Sequence, residues 1–267
     1  FSRARRVHCS HYGEIFNRKA QNSRLQKRKP ALILAVKKGE KAHAVPAGYG
    51  IGHAHNYYFS HMLNCLYDCR YCFLQGMFNS AHYVLFVNHE EFQEAILKLE
   101  QKHGESCCFF SGYDCDSLAM DSATRFTESF MPFFREGLRH SWLELRTKSV
   151  NVKPVLDQEP FERCVIAFSM TPMEFSRALE HGVPPLKARL KIMRKLQDAG
   201  WNVGLRIDPL LYHSDFKIIY DRFFRQLFLH LDPGRLHSVS VGSFRVPAGM
   251  FRKMEKLHPC LLYTSPS

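Results

Sequence analysis

The sequence lacks several features that mark membrane and secreted proteins. It contains no apolar run of about 18 residues or more, and the longest candidate, residues 31–36, has the length of a buried strand. No apolar stretch follows the basic opening, so no signal peptide is visible. The nine cysteines are odd in number and lack the regular spacing of a small secreted disulfide scaffold. We therefore expect a soluble, cytoplasmic protein with no membrane partner.

Acidic residues are scarce near the start of the chain. Residues 1–42 hold twelve of the 37 lysines and arginines, but only Glu14 and Glu40 among the 25 acidic residues. Nearly all of the formal net charge of +12 therefore belongs to this stretch. A polyanion such as nucleic acid would be attracted to it, and a flexible, solvated basic tail is the alternative interpretation.

The two ends of the sequence continue no pattern. The first residue is Phe1 rather than Met, which predicts that the chain begins within a longer gene. Residues 260–267 resemble translated sequencing-adapter read-through, so we expect a non-native tail there and a truncated C-terminal part. Internal repeats and low-complexity tracts are also missing.

Strand-like and helix-like patterns alternate from Tyr57 onward. The strand signals are short, apolar and rich in β-branched or aromatic residues, and they cover 57–63, 107–111, 142–147, 164–170, 202–207 and 237–244. The helical signals cover 89–102, 122–138, a short turn near 152–156, 185–199, 215–231 and 248–257. Asn88 is placed to cap the first of these helices.

The helical period is clearest in residues 185–199. Leu186, Leu190, Met193 and Leu196 recur at steps of four, three and three, while lysines and arginine occupy the other face. Gly200 is expected to end this helix, because glycine adopts the left-handed conformation that terminates helices.

Alternation of strand and helix predicts a parallel sheet with right-handed crossovers. Six units indicate an α/β fold, a partial (β/α)6 barrel that is not closed by eight strands. We expect a basic N-terminal extension with one strand over residues 1–55, the barrel over 56–259 and the non-native tail over 260–267. Active groups are expected in the loops at the carboxyl ends of the strands.

Three cysteines follow the first strand directly. Cys65, Cys69 and Cys72 have the spacing C-x3-C-x2-C within one tight loop. Three thiolates can bind three irons of a [4Fe–4S] cubane and leave the fourth iron without a protein ligand. The alternative is a zinc site, but tetrahedral zinc usually takes a fourth Cys or His and favours paired C-x2-C knuckles. The sequence therefore predicts an iron–sulfur cluster.

This segment resembles the radical S-adenosylmethionine (radical SAM) enzymes. The resemblance implies a barrel of the radical SAM type, in which the open iron binds the amino and carboxylate groups of the methionine moiety. Electron transfer from the cluster then cleaves S-adenosylmethionine and releases a 5′-deoxyadenosyl radical. Of the other cysteines, Cys107, Cys108 and Cys164 lie in apolar strand patterns and are expected in the core. Cys115 differs, since it follows the second strand in a loop expected to face the cluster.

A longer pattern is similar to the spore photoproduct lyase family and runs from about residue 32 to residue 259. The segments that carry it are 69–75, 114–121, 146–148, 168–169 and 199–201 running into 205–209. The three-cysteine spacing is shared by the whole superfamily, so the specific part of the resemblance lies in these longer segments.

The resemblance implies a role for several residues on the predicted rim. Tyr71 contacts the adenosyl group, and Cys115 and Asp116 lie where family members use Ser and Asp to hold it. Lys148 and Ser169 match positions that touch the methionine carboxylate or nearby groups. Lysine offers a point charge to a carboxylate, and a carboxylate accepts from ribose hydroxyls. The alternatives are a solvated lysine at the strand end and an aspartate that begins a turn or helix.

In the family, the adenosyl radical abstracts hydrogen from a methyl-linked thymine dimer in DNA, the dimer splits, and a cysteine returns a hydrogen atom. The position of that cysteine is occupied here by Tyr113. Tyr113 could itself donate the hydrogen atom, or Cys115 two residues on could do so if the loop shifts. If neither residue donates, the repair reaction would stall or yield by-products. Phe73 replaces a tyrosine and lacks its hydroxyl. Asp208 replaces a small residue and is expected to start a turn before Pro209.

The resemblance implies damaged DNA as a partner and an electron donor such as flavodoxin or ferredoxin. The sequence stops before the basic aromatic hairpin with which the family binds the lesion and flips its bases. A radical SAM enzyme of the same fold with a non-DNA substrate is therefore the second hypothesis. A non-catalytic metal or nucleic-acid-binding module is the third.

Overall fold

Six parallel strands form the centre of the fold, as the alternating pattern predicts. The computed structural model describes residues 5–46 and 48–259. The strands are β1 (Leu32–Ala35), β2 (Ala42–Ala44), β3 (His55–Phe59), β4 (Met62–Leu63), β5 (Asp68–Cys69), β6 (Tyr83–Phe86), β7 (Cys107–Ser111), β8 (Trp142–Thr147), β9 (Cys164–Ser169), β10 (Glu180–His181), β11 (Asn202–Leu210) and β12 (Leu236–Ser243). The main sheet has the order β12-β11-β9-β8-β7-β3-β2. All its neighbours are parallel except β2, which is antiparallel to β3.

Helices precede, connect and follow these strands. They are α1 (Ser23–Gln26), α2 (Leu74–Met77), α3 (His89–His103), α4 (Asp121–Thr124), α5 (Phe126–Pro132), α6 (Lys153–Leu156), α7 (Met173–Leu179), α8 (Leu186–Asp198), α9 (Phe216–His230) and α10 (Ala248–Leu257). A π-helical turn, Phe133–Gly137, follows α5, and single 3-10 turns lie at Tyr12–Glu14 and Pro233–Arg235. None of the helices in residues 5–46 and 48–259 is long and apolar enough to cross a membrane.

Three predicted details of these elements are wrong. The first strand does not run over 57–63, because it ends at Phe59 and a separate strand, β4, begins at Met62. The helix predicted over 122–138 is broken at Arg125, whose φ is +54°, and again near Pro132, which has no backbone N–H to donate. Asn88 does not cap α3, because its side chain binds the backbone N–H and carbonyl of Lys37 instead.

The two faces of the main sheet differ in polarity. On β8, Leu143 and Leu145 are fully buried in the apolar core between sheet and helices. Glu144 and Arg146 alternate with them and point to the other face, as the period of a strand requires. There the Glu144 carboxylate accepts from Arg206 on β11 at 2.6 Å, and both side chains are 1% exposed. The concave face of the partial barrel is therefore lined by paired charges.

Part of the basic N-terminal stretch forms strands that pair with strands of the rest of the protein. β1 lies parallel to β6 in a three-stranded sheet with the order β1-β6-β4, and β2 extends the main sheet next to β3. Two strands are present where the sequence predicts one. The chain from Leu32 to Ala44 is thus not a solvated tail, while the predicted non-native tail at 260–267 lies outside the described residues.

Two further contacts position the three-cysteine loop. β5, inside the loop, pairs antiparallel with β10, and the N–H of Arg70 donates to the carbonyl of Leu179 at 2.8 Å. α2, which follows the loop, packs against α10 so closely that a Cβ on Gly76 would lie 2.4 Å from the carbonyl oxygen of Met250. The loop is therefore held in place directly by β10 and, through α2, by α10.

Candidate active site at the carboxyl ends of the strands

The three cysteines lie together at the carboxyl end of the first parallel strand. Cys69 is part of β5 and pairs with Glu180, and the N–H of Cys72 donates to the carbonyl of Cys69 at 3.0 Å. Cys65 lies just before β5, and its Sγ accepts from the N–H of Tyr67 at 3.4 Å. All three side chains are free thiols. The three cysteines thus lie in a loop after a strand, where active groups of such sheets are expected.

The surroundings of these thiols suit a bound iron cluster. Burial raises the pKa of each of the three thiols, and neighbouring thiols raise the pKa of Cys65 and Cys69 further. Bound cations are therefore needed to hold all three as thiolates at neutral pH. Backbone N–H groups already donate toward Cys65 and Cys72. Such N–H donors are a feature of sulfur ligands in iron–sulfur sites.

The three thiols are a smaller donor set than structural zinc usually takes. Within the described residues, no three His, Cys, Asp or Glu side chains converge on a point where one ion could bind. Structural zinc usually has four protein ligands. In a cubane each of three thiolates binds a different iron, and the fourth iron has no protein ligand. The number and type of donors in the loop fit a cubane.

A buried ionic network borders the cysteine loop. Glu180, whose side chain is 0% exposed, lies 3.1 Å from the Lys148 ammonium and 2.9 Å from the Arg189 guanidinium. Burial by itself raises the pKa of Glu180, but Lys148 and Arg189 outweigh this effect and hold the pKa well below its usual range. Two cations against one carboxylate leave one net positive charge beside Cys69, which an anionic ligand group can neutralise.

Tyr71 contacts this network through its hydroxyl and through its ring. Its hydroxyl donates to Glu180 and lies 3.1 Å from the Thr171 hydroxyl, and its ring is 5.6 Å below the Lys148 ammonium. Only 6% of Tyr71 is exposed. The resemblance assigns Tyr71 to the adenosyl group, and the hydrogen bonds fix the ring beside the predicted cluster.

Asp116 joins two of the loops on the rim. Its carboxylate accepts from the Thr147 hydroxyl at 2.7 Å and from the Lys148 N–H at 2.6 Å. It also accepts from the N–H groups of Leu118 and Ala119 at 3.0 and 2.9 Å. Four donors occupy most of the capacity of one carboxylate. In this structure Asp116 fixes the loops after β7 and β8, and little of it is left for ribose hydroxyls.

Tyr113 and Cys115 lie in the same loop but in different environments. Tyr113 is half-buried and stacks on Tyr58 with ring centroids 4.3 Å apart and planes at 22°. Its ring is also 5.5 Å from that of Phe73, next to the third cluster cysteine. Cys115 is 6% exposed, and burial raises the pKa of its thiol. Tyr113 therefore faces the open rim, whereas Cys115 is enclosed in the barrel wall.

Of the two remaining predicted residues, Ser169 lies at the site and Asp208 lies away from it. Ser169 ends β9 and is half-buried, and its carbonyl accepts from Arg189 at 3.0 Å, so it lies beside the ionic network. Asp208 lies inside β11 rather than at the start of a turn, and its partner is Arg245 at 3.8 Å. The structure thus brings Ser169, but not Asp208, next to the cysteine loop.

Sequence reasoning missed four residues of the site: Glu180, Arg189, Thr171 and Tyr58. One signal was available, because Arg189 lies three positions after Leu186 and directly before Leu190, on the apolar face of α8. A charged residue on a buried helix face needs a buried partner. Glu180 carries no such signal, since it belongs to a two-residue strand.

The fold and the three-cysteine loop together define a radical SAM type of partial barrel. Among solved structures, a spore photoproduct lyase variant with bound AdoMet and dinucleoside spore photoproduct superposes with a TM-score of 0.79 at 20% identity, covering 88% of this chain and 68% of that one. A spore photoproduct lyase complexed with dinucleoside spore photoproduct gives a TM-score of 0.78 with the same identity and coverage. The sequence model described as spore photoproduct lyase matches residues 16–245. The chain belongs to the spore photoproduct lyase family.

Two curated relatives are similar over part of their length. The spore photoproduct lyase of Geobacillus sp. (strain Y412MC61) is 25% identical over 170 residues, which are 63% of this chain and 50% of that protein. The spore photoproduct lyase of Bacillus subtilis (strain 168) is 24% identical over 178 residues, which are 66% of this chain and 52% of that protein. The chain therefore spans about half the length of the curated relatives it matches.

Proposed function

We propose that this chain is a radical SAM carbon–carbon lyase that repairs a thymine lesion in DNA. Cys65, Cys69 and Cys72 would hold the [4Fe–4S] cluster, and S-adenosylmethionine would bind beside it. When bound, these two groups supply a 5′-deoxyadenosyl radical that abstracts hydrogen from the lesion. Membership of the spore photoproduct lyase family supports this substrate.

The net positive charge of the Lys148–Glu180–Arg189 network is the observation that carries the proposal. The network borders Cys69, and Lys148 is the member with solvent access, since 13% of its side chain is exposed against 0% for Glu180 and Arg189. A ligand carboxylate beside the cluster would therefore bind Lys148. Glu180 neutralises one of the two cations. The one positive charge that remains is the charge needed to bind the methionine carboxylate.

Tyr113 is the better candidate for the residue that returns hydrogen. Its ring lies on the rim between Tyr58 and Phe73, whereas Cys115 is enclosed. Transfer of the hydrogen atom of the Tyr113 O–H to a substrate carbon radical would leave a phenoxyl radical. The hydrogen first taken from the lesion is then carried by 5′-deoxyadenosine. Its return to the phenoxyl oxygen would restore the O–H of Tyr113 and regenerate the 5′-deoxyadenosyl radical, so both the hydrogen atoms and the unpaired electron balance.

The test uses protein reconstituted anaerobically with iron and sulfide. We expect about four irons per chain, as in a cubane, and lesion-dependent formation of thymine when dithionite, S-adenosylmethionine and lesion-containing DNA are supplied. The Cys72→Ala variant is the matched control, and it should lose both the brown absorbance and the product. Zinc in place of iron would support the non-catalytic metal-binding module and refute an iron–sulfur enzyme.

A second function is favoured by two residues on the rim. Tyr113 and Phe73 both differ from the residues that the resemblance implies, and they contact each other at 5.5 Å between centroids. A radical SAM enzyme of this fold with a non-DNA substrate would account for both. Formation of 5′-deoxyadenosine that is unaffected by lesion-containing DNA would support this alternative over DNA repair.

A further inference from the structure

The outer side of the three-cysteine loop carries a patch of charged and polar side chains. We name it the outer loop face and define it by Arg24, Lys27, Asp68, Arg70, Gln75 and His258. It combines the end of α1, the cysteine loop with α2, and the residue that follows α10.

The face is organised around the side chain of Gln75. Its amide nitrogen donates to Asp68 at 2.7 Å and to the carbonyl of Cys69 at 3.2 Å. Its amide oxygen accepts from Lys27 at 3.3 Å and lies 3.1 Å from Nε2 of His258. Gln75 thus connects the backbone of a predicted cluster ligand to the protein surface.

Two guanidinium groups extend this arrangement. Arg70 lies 3.4 Å from Asp68 and 2.6 Å from Nδ1 of His258. Burial and Arg70 lower the pKa of His258 to about 4, and Lys27 and Arg24 act in the same direction. His258 is therefore a neutral acceptor from Arg70, and the cations around it share one patch.

The face lies on the side of the loop opposite to the reacting groups. Successive residues of an extended segment point in opposite directions. Asp68 and Arg70 point to the outer loop face, so the thiol of Cys69 between them points inward, toward Lys148 and Glu180. β5 therefore lies between the predicted cluster and the outer loop face.

The charge of the face is strongly positive. Segments 23–29, 68–77 and 248–258 contain eight lysines and arginines against Asp68 and Glu255. On α10, Arg252, Lys253 and Lys256 are exposed, while Met254 is buried against the body. Such a surface attracts acidic partners and speeds their association at low ionic strength.

We propose that the outer loop face is the docking site for an acidic electron-transfer protein that reduces the cluster. This inference rests on the proposed function in one respect, namely that Cys65, Cys69 and Cys72 hold a cluster that receives electrons. The face is basic, is the solvent side of the cluster loop, and leaves the rim open for substrate. One electron passes from the donor to the oxidised cluster, so the donor is oxidised and the cluster is reduced.

DNA is a different class of partner and fits this face less well. A lesion must reach Tyr113 and the ionic network on the inner side of the loop. Asp68 also lies at the centre of the face, where a phosphate backbone would meet a carboxylate. A protein surface can place a cation opposite Asp68, whereas a run of phosphates cannot.

The test compares two double variants with equal change in charge. Arg24→Glu with Lys256→Glu reverses two exposed charges near the face that do not belong to the hydrogen bonds around Gln75. Lys191→Glu with Lys195→Glu reverses two exposed charges on α8 and is the control. Reduction of the reconstituted cluster is followed by stopped-flow absorbance, with either reduced flavodoxin or dithionite as the reductant.

We expect the face variant to slow reduction by flavodoxin by about tenfold at low ionic strength, and to leave reduction by dithionite unchanged. The control should match the wild-type protein with both reductants, and added salt should reduce the difference between face variant and wild type. Equal flavodoxin rates in both variants would refute the proposal. Weakened binding of lesion-containing DNA with unchanged flavodoxin rates would also refute it and assign the face to DNA. If the cluster does not form, dithionite shows no signal in any variant, which identifies a failure of the proposed function itself.

Discussion

The two sides of the candidate site are held by different forces. The ionic side consists of Tyr71, Lys148, Glu180 and Arg189, whose charges are buried and paired with each other. The aromatic side consists of Tyr58, Phe73 and Tyr113, and the rings of Tyr58 and Phe73 both contact that of Tyr113 at the half-exposed rim. One side is specified by charge and hydrogen bonds, and the other by ring packing.

This difference decides which side of the site tolerates substitution. A buried ion pair tolerates little change, because removal of one partner leaves an uncompensated charge. A ring stack accepts another ring at modest cost, since packing and not a fixed donor geometry holds it. Two of the departures from the resemblance, Tyr113 and Phe73, lie on the aromatic side, while Tyr71 and Lys148 match it. By this argument the ionic side tolerates little substitution, and the aromatic side is the part that can adapt to substrate.

Removal of the Glu180 charge at the centre of the ionic side is expected to give the largest effect. Glu180→Gln keeps an acceptor for the Tyr71 hydroxyl but leaves Lys148 and Arg189 without their carboxylate. Loss of one member of a buried pair costs about 3–5 kcal/mol, so we expect a loss of that order in the free energy of unfolding. Urea unfolding of the cluster-free protein measures it.

The matched control for this change is Glu174→Gln. Glu174 pairs with Arg222 at the surface, where 62% of the arginine side chain is exposed. An exposed pair contributes at most about 1 kcal/mol, so the control should remain close to the wild-type protein. If Glu180→Gln costs no more than this control, the network does not organise the site.

Removing the solvent-accessible cation is the next largest change. Lys148→Gln keeps a polar side chain but removes the charge that would bind the methionine carboxylate. Hydrogen bonds to charged groups contribute about 1.5–3 kcal/mol, which corresponds to a loss of roughly tenfold to a hundredfold in affinity for S-adenosylmethionine. Equilibrium binding to the reconstituted protein measures the loss. Lys153→Gln, on exposed α6 next to Asp157, should leave the affinity unchanged, and an equal affinity in both variants would contradict the assignment of Lys148.

The ionic and aromatic sides also differ in how far the sequence could predict them. The strands and the cysteine loop follow from local patterns, so β7, β8 and α10 match the predicted bounds at both ends. Lys148 follows from its place after a strand and from the resemblance. Glu180 could not be predicted, because its contact with Tyr71 joins residues 109 positions apart and no periodic pattern surrounds it.

Asn88 also shows that tertiary contacts cannot be predicted from local sequence. Its position before α3 favours a cap, and residue type is a good guide to caps. Its side chain instead binds Lys37, which is 51 positions away, because that contact joins the end of β1 to the start of α3. Local propensity gave the correct boundary and the wrong partner, since tertiary contacts decide between competing acceptors and donors.

The aromatic side can be tested by changing one hydroxyl. Tyr113→Phe preserves the stack on Tyr58 and removes the O–H, so 5′-deoxyadenosine should still form while the yield of thymine falls. Tyr113→Cys restores the residue that the resemblance implies and should raise that yield above the wild-type value. Chromatography of both products after anaerobic turnover measures the ratio. Tyr58→Phe is the control for ring packing, and an unchanged product ratio in Tyr113→Phe would remove Tyr113 as the hydrogen donor.

The smallest expected effect concerns a neutral group below the aromatic side. His61 follows Ser60, whose hydroxyl donates to Asp114 next to Tyr113, and its ring stacks on Phe126 at 3.8 Å. Burial, with a smaller contribution from His89, lowers the pKa of His61 to about 3. The folded state therefore binds fewer protons than the unfolded state between pH 3 and the ordinary histidine pKa of about 6.5.

Because the pKa of His61 is lowered by folding, its contribution to stability is complete above about pH 6.5 and is lost as the pH falls toward 3. Lowering the pH from 7 to 5.5 should cost the wild-type protein about 1 kcal/mol more in free energy of unfolding than it costs His61→Leu. Urea unfolding at the two pH values measures this difference. If His61→Leu and the wild-type protein lose the same stability, His61 is not held neutral, and the aromatic side contains a charge that the structure does not show.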